Sequence, residues 1–111
     1  MSTHRTPLHA IAIACVGAIV TAPAAADDAE MLALAERSRC LNCHEVAETI
    51  RGPAWVDVAQ RYRDDPEALE RLVDKVRNGG SGAWGDDYMS PNKRVKEEDI
   101  RRLVGWILEL E

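Results

Sequence analysis

The sequence contains no phenylalanine, and three tryptophans and two tyrosines are its only large aromatic residues among 111. A hydrophobic core must therefore be filled in some other way. An excess of positive charge is also missing, because 14 Lys and Arg face 19 Asp and Glu for a net charge of −5. That balance argues against a general nucleic-acid binder, which needs a basic face. The length allows one small domain and excludes a TIM barrel, a two-domain enzyme and a long repeat array.

Cysteine is scarce as well, and three cysteines cannot all be paired within a disulfide framework. With 46% hydrophobic and 30% charged residues, the composition is too apolar and too varied for a disordered chain. We therefore expect one folded domain that is not organised around a set of disulfides.

The first 26 residues predict a secretory signal peptide of the Sec type. A basic start containing Arg5 is followed by a small, apolar run at residues 11–20 and by three alanines that end at Ala26. We expect cleavage after Ala26, export to the periplasm and a mature domain of residues 27–111.

Two alternatives to cleavage are an uncleaved membrane anchor and a lipid attached to Cys15. The apolar run is shorter than the ~18–20 residues that span a bilayer. The residues before Cys15 also lack the leucine that usually starts a lipid-attachment site. We therefore predict no stable insertion into a membrane.

Loss of the signal peptide leaves two cysteines and one histidine, which are neighbours in the segment Cys40-Leu41-Asn42-Cys43-His44. The pattern C-x-x-C-H in an exported protein is typical of covalent attachment of a c-type haem. Two thiols three residues apart on a helical turn reach the two vinyl groups on one side of the porphyrin and form thioethers. The following histidine then offers a ring nitrogen as the proximal iron ligand. We predict one covalently bound haem c.

Other interpretations of the pair of cysteines remain open at this point. A zinc site usually needs four ligands, and no second C-x-x-C is present. A thioredoxin-like redox pair would need a βαβ setting, and the sequence has no run typical of a central strand. A structural disulfide across so short a loop would be strained and would stabilise little.

The second axial ligand is sought among the two methionines that follow the signal peptide, Met31 and Met89. Met31 begins an apolar pattern with helical spacing, which favours a core position. Met89 lies in a glycine-rich stretch, residues 79–95, that has no apolar periodicity and contains a proline, so we expect a loop there. Met89 is therefore our candidate for the distal ligand, since His/Met ligation raises the reduction potential of a haem.

Six short motifs follow one another in a fixed order along residues 27–111. They are Cys40-Leu41-Asn42-Cys43-His44, Arg51-Gly52-Pro53-Ala54-Trp55, Val76-Arg77-Asn78-Gly79, Gly82-Ala83-Trp84-Gly85, Met89-Ser90-Pro91-Asn92 and Trp106-Ile107-Leu108. With these motifs the chain resembles the small monohaem class I cytochromes c of bacteria, soluble carriers that serve nitrite reductases and terminal oxidases. The resemblance implies an all-α fold of about four short helices, with long loops wrapped around one covalently bound haem.

The resemblance also implies roles for residues around the iron. The carbonyl of Pro53 would accept a hydrogen bond from the proximal histidine and fix its tautomer. Trp84 would donate its indole N–H to a haem propionate, and Lys75 would face the same group. Asn92 would form a hydrogen bond near the sulfur of the distal methionine. Ser90 departs from the family, which usually has proline there, so the methionine loop loses one constraint.

The apolar spacing predicts four helices. The first runs from a cap at Asp27 or Asp28 to about residue 39, and the second covers residues 55–62. The third starts at Asp65-Pro66-Glu67 and ends at Asn78-Gly79, as a capping residue followed by proline and a terminal Asn-Gly indicate. The last starts around residues 96–99 and carries apolar residues to Leu110. A close crossing with the first helix is one reason to have Gly105 in its interior.

These observations together predict a monomeric one-electron carrier rather than an enzyme, because both axial positions of the iron would be filled. We expect a membrane cytochrome complex as donor, and a terminal oxidase, a nitrite reductase or a photosynthetic reaction centre as acceptor. One alternative is a haem-based ligand binder or weak peroxidase with a labile methionine. Another is a haem subunit of a larger respiratory complex.

Overall fold

The computed structural model describes residues 1–3, 17–19 and 24–111. Most of the predicted signal peptide, including Cys15, lies outside the described residues. Within the described ranges, no helix combines the length and the apolar character needed to cross a membrane.

Four α-helices form the frame of the described chain, as the sequence predicts. They are α1 (Ala24–Arg37), α2 (Trp55–Tyr62), α3 (Ala68–Asn78) and α4 (Glu97–Leu108). One turn of 3-10 helix at Cys40–Asn42 follows α1. The predicted all-α class is confirmed, and α2 has the bounds expected from the sequence.

The first helix differs from the prediction at both ends. It begins at Ala24, so Asp27 lies in its first turn and does not cap it, and neither does Asp28. The reason is that the preceding alanines favour the helical state, and an acidic residue in the first turn suits the helix dipole. The helix ends at Arg37, because Arg39 adopts a left-handed conformation with φ of 63° and turns the chain into the 3-10 turn.

The end of α3 follows the predicted signal, whereas its start comes later than predicted. The carboxylate of Asp65 accepts a hydrogen bond from the backbone N–H of Glu67 at 2.9 Å and holds a turn before the helix, so Glu67 and not Asp65 occupies the N-cap position, without a side-chain capping bond. Regular helix begins at Ala68, directly after this turn. At the other end, the N–H of Gly79 donates to the carbonyl of Lys75 at 2.7 Å and closes the helix.

The stretch of residues 79–95 contains a small antiparallel hairpin, where the sequence predicts only a loop. Strand β1 (Gly80–Gly82) pairs with β2 (Gly85–Met89), with Gly80 opposite Met89 and Gly82 opposite Gly85. Glycines supply the positive φ angles that this tight reversal needs, including 101° at both Gly82 and Gly85. The strands have no alternating apolar pattern, which is why the pairing is not visible in the sequence.

Helix α4 packs against each of the other three helices and divides the core into two clusters. The larger cluster contains Met31, Leu34, Ala35, Trp55, Val58, Leu103 and Ile107, and the smaller one contains Val73, Ile100 and Val104. The core position predicted for Met31 is confirmed. The expected close crossing at Gly105 is wrong, because a Cβ there would meet no atom within 4 Å.

Candidate functional site

The two cysteines and the histidine of the C-x-x-C-H motif are brought together by a single tight turn. The backbone N–H groups of Cys43 and His44 both donate to the carbonyl of Cys40, at 3.2 and 3.0 Å. Both thiols are free and half-buried. Burial raises the pKa of the Cys40 thiol, and a backbone hydrogen bond offsets only part of this effect.

The ring of His44 is oriented by a hydrogen bond of 2.9 Å between its Nδ1 and the carbonyl oxygen of Pro53. A carbonyl oxygen can only accept, so Nδ1 must carry the ring proton in the neutral imidazole. The lone pair is then left on Nε2, which is the state that a metal requires of a histidine ligand.

Two neighbours hold the faces of this imidazole. Trp55 stacks on His44 with ring centroids 5.8 Å apart and an angle of 23° between the planes. Gly52 lies so close that a Cβ there would be 2.4 Å from Cε1 of the histidine. The N–H of Gly52 also donates to the carbonyl of Cys43 at 2.7 Å, which ties this segment to the cysteine turn. The absence of a side chain at residue 52 is therefore what allows the ring to sit there.

A large cleft of about 1030 Å³ opens next to the histidine. Its lining includes the two cysteines and His44 from one segment, and Trp84 and Met89 from the hairpin. Apolar residues of α4 also line it, namely Ile100, Leu103, Val104 and Ile107. This volume is at the upper end of the ~300–1,000 Å³ that ligand pockets usually have.

Met89 reaches the cleft from the last position of β2 and is half-buried there. Gly79 makes this placement possible, because a Cβ at Gly79 would be 2.3 Å from the carbonyl oxygen of Met89. The backbone N–H of Asn92 donates to the carbonyl of Val76 at 3.0 Å and anchors the chain after the methionine.

The side chain of Asn92 makes a different contact from the one that the sequence suggests. Its amide Nδ2 donates to the carbonyl oxygen of Ser90 at 3.1 Å. Asn92 lines the same cleft as Met89, and the hydrogen bond expected near the sulfur remains a prediction.

Trp84 and Lys75, which the sequence places near a haem propionate, both line the cleft. Trp84 is 40% exposed and meets Tyr62 edge-on, with ring centroids 6.5 Å apart. The ammonium of Lys75 lies 3.1 Å from the point where a Cβ of Gly80 would be. The structure therefore brings every candidate site residue to one cleft, while the contacts with a propionate remain predictions.

Sequence reasoning missed two contributors to the site. The contact between Gly52 and the imidazole has only a weak signal, a glycine directly before Pro53. Arg61 packs on the ring of Trp84 at 4.5 Å, and only its place beside the apolar face of α2 could have pointed to it.

Comparison with known proteins assigns the chain to a family. The family model for cytochrome c matches residues 31–111. Cytochrome c-551 of Allochromatium vinosum is 50% identical over 93 residues, covering 84% of this chain and 96% of that protein. The crystal structure of wild-type Nitrosomonas europaea cytochrome c552 superposes with a TM-score of 0.69 at 39% identity, covering 72% of this chain and 99% of that chain. The crystal structure of the class 1 cytochrome MtoD from Sideroxydans lithotrophicus ES-1 superposes with a TM-score of 0.65 at 31% identity. It covers 76% of this chain and 96% of that chain.

The chain belongs to the cytochrome c family. It is a haem-based electron-transfer protein and not an enzyme, and its work requires redox partners. Its cofactor is one covalently bound c-type haem with iron.

The residues of the cleft fit this cofactor on their own chemistry. Two free thiols three residues apart are available for thioether bonds, and the adjacent imidazole has the tautomer that leaves Nε2 as a ligand. The cleft has the space and the apolar lining for a large flat ring. The haem supplies one-electron redox chemistry at its iron when bound, and the chain orients, covers and insulates it.

Proposed function

We propose that the chain is a periplasmic one-electron carrier whose haem is attached at Cys40 and Cys43. In this proposal Nε2 of His44 is the proximal iron ligand and the sulfur of Met89 is the distal ligand. Lys75 and Trp84 serve the propionates, and Asn92 orients the methionine. The observation that carries the proposal is that His44, with its tautomer fixed by Pro53, and Met89 line the same cleft.

The support for His44 comes from the three contacts that restrict its ring. The carbonyl of Pro53 holds one edge at 2.9 Å, the ring of Trp55 stacks on one face with centroids 5.8 Å apart, and the backbone of Gly52 lies so close to the ring that a Cβ there would overlap it. A ligand held in this way needs little reorganisation when the iron changes its charge, and low reorganisation suits a carrier.

The support for Met89 comes from its place in the chain. Of the described methionines, Met1 is fully exposed and Met31 is buried in the core cluster, so only Met89 lines the cleft. With His44 as one ligand, the thioether of Met89 would take the remaining ligand position of the iron. This would leave no open position for a substrate, in agreement with a carrier.

A spectrum of the ferric holoprotein tests the ligation. With a methionine on the iron, a weak far-red charge-transfer band is present at neutral pH. Met89→Ala should remove this band, lower the reduction potential and let the reduced protein bind carbon monoxide rapidly. Haem attached through Cys40 and Cys43 should stay with the protein during acid–acetone extraction.

Met31→Leu is the matched control, because it removes a methionine from the core without a large change of volume and should keep the band. A band that survives in Met89→Ala, or extraction of the haem, would contradict the proposed ligation. Rapid carbon monoxide binding by the parent protein would favour a ligand binder or weak peroxidase with a labile methionine.

The periplasmic location rests on the signal peptide of residues 1–26, and we propose a monomer that remains outside the membrane. Protein from the periplasmic fraction should begin at Asp27 by mass spectrometry and elute as a monomer in size-exclusion chromatography. Elution with a larger assembly would favour a subunit of a respiratory complex. We propose a membrane cytochrome complex as donor. Electron-transfer rates with a terminal oxidase, a nitrite reductase and a photosynthetic reaction centre would identify the acceptor.

A further inference from the structure

The tip of the hairpin, residues 83–84, is held from outside by Arg61 of α2. Its Nη1 donates a hydrogen bond of 2.5 Å to the carbonyl oxygen of Ala83. The carbon of the same guanidinium lies 4.5 Å from the ring centroid of Trp84, within the range of a cation–π contact. One side chain therefore contacts both the backbone of the tip and its aromatic ring.

Tyr62, the next residue of α2, completes the contact. Its ring meets Trp84 edge-on, with centroids 6.5 Å apart and an angle of 71° between the planes. The guanidinium of Arg61 lies 5.5 Å from the centroid of the tyrosine. The tip of the hairpin is thus docked on the carboxyl-terminal end of α2 through two aromatic rings and one cation.

The rest of the hairpin gives this tip little support. The strands have three and five residues and are mostly exposed. Gly82 and Gly85, on either side of the tip, have open space where a side chain would be. A two-stranded hairpin has little stability of its own in water. The position of the tip should therefore depend on its contacts with α2.

Arg61 differs from its two partners in its relation to the cleft. Trp84 and Tyr62 both line the cleft, whereas Arg61 is not among the lining residues. Arg61 therefore contacts the wall of the cleft through Ala83, Tyr62 and Trp84, which do line it.

We propose that Arg61 is a positioning residue for the haem site. It holds the hairpin tip against α2 and keeps Trp84 in the wall of the cleft, which limits the entry of water and small ligands. This inference rests on the proposed function, because ligand entry matters only with the haem iron in this cleft.

Two rates measured on the holoprotein test the proposal. One is hydrogen exchange of the Trp84 indole N–H in the reduced protein, and the other is imidazole binding to the ferric protein. Arg61→Gln should raise both rates about tenfold, since the cation–π contact and the charged hydrogen bond are lost together. Arg61→Lys should recover part of the effect, because it keeps the charge but not the planar fork.

Arg63→Gln is the matched control. Arg63 lies at the same end of α2 and also donates to a distant backbone carbonyl, that of Leu110 at 3.3 Å, away from the hairpin. Its two rates should stay within about twofold of the parent, as is usual for a surface substitution outside special contacts. The proposal is overturned if either rate in Arg61→Gln stays at the parent value, or if Arg63→Gln raises both rates equally.

The indole exchange rate does not depend on which side chain binds the iron. If the far-red band is missing from the parent protein, the proposed ligation fails while the exchange comparison still decides the role of Arg61. The two failures can therefore be told apart.

Discussion

The two sides of the cleft that we propose for the haem are built in different ways. The attachment wall, residues 40–55, carries Cys40, Cys43 and His44, and the hairpin wall, residues 79–92, carries Trp84 and Met89. The attachment wall is cross-linked by short hydrogen bonds between nearby residues, from Gly52 N–H to the Cys43 carbonyl at 2.7 Å and from His44 to Pro53 at 2.9 Å.

The hairpin wall is built from two short paired strands and also contacts other helices of the chain. Its end is anchored through Asn92 to Val76 of α3, and its tip rests on Arg61 of α2. Its glycines adopt positive φ angles that other residues avoid. A wall of this kind is sensitive to backbone changes, whereas the attachment wall is sensitive to changes in packing around one ring.

The largest effect is expected from Gly79→Ala in the hairpin wall. Gly79 has φ of 69° and ψ of −160°, a region that only glycine occupies readily. The added Cβ would also overlap the carbonyl oxygen of Met89. We expect a loss of about 3 kcal/mol or more in the free energy of unfolding. The far-red band should weaken as well, because the chain that carries the methionine must move.

The control for this prediction is Gly82→Ala. Gly82 also has a positive φ, 101°, but a Cβ there would meet no atom within 4 Å. The free energy of unfolding of the two holoproteins in urea separates the cost of a positive φ, which both variants have, from the cost of the Cβ overlap, which only Gly79→Ala has. An equal loss of stability in both variants, with the band intact, would show that contact with the methionine segment is unimportant.

A smaller effect is expected from Gly52→Ala in the attachment wall. The new Cβ would lie 2.4 Å from Cε1 of His44, so the imidazole must shift away from the Pro53 carbonyl. Overpacking of this kind costs about 1–3 kcal/mol, and the yield of protein with attached haem should fall.

Gly105→Ala makes the same chemical change at an open position of a helix. It should raise stability by up to about 1 kcal/mol, because alanine favours the helical state. Unfolding curves and haem content of the two variants are compared. If Gly52→Ala behaves like Gly105→Ala, the histidine is not packed as tightly as the structure indicates.

The two walls also differ in how far the sequence predicts them. The C-x-x-C-H motif is contiguous, so the turn at Cys40–Asn42 and the adjacent histidine can be located from the sequence directly. The amphipathic helices were predicted for the same reason, since apolar spacing is a local property.

The hairpin could not be predicted because its strands contain mostly glycine and acidic residues and show no alternation of apolar side chains. The contact of Arg61 with Trp84 joins residues that are far apart in the chain, and no local sequence pattern predicts it. The helix α1 starts at Ala24, before the two aspartates that the sequence offers as caps, because the alanines there also favour helix.

The smallest effect concerns the ion pairs that join α3, which supports the hairpin wall, to α4. The guanidinium of Arg101 forms a double hydrogen bond with Glu70, and this bond holds the pKa of the carboxyl below its ordinary value. Because the folded-state pKa is the lower one, the stabilisation is complete above the unfolded-state pKa. It is lost as the pH falls through the folded-state pKa.

The melting temperature of the parent should fall on acidification, and that of Glu70→Gln should fall slightly less. The difference is small because the pair is exposed. Glu98→Gln is the control, since it removes another exposed carboxylate whose partner, Lys96, is 4.0 Å away. The fall in melting temperature on acidification should differ less from that of the parent in Glu98→Gln than in Glu70→Gln. If the melting temperatures of Glu70→Gln and the parent fall by the same amount as the pH is lowered, the pair of Glu70 and Arg101 does not stabilise α3. The sensitivity of the hairpin wall would then come from its backbone alone.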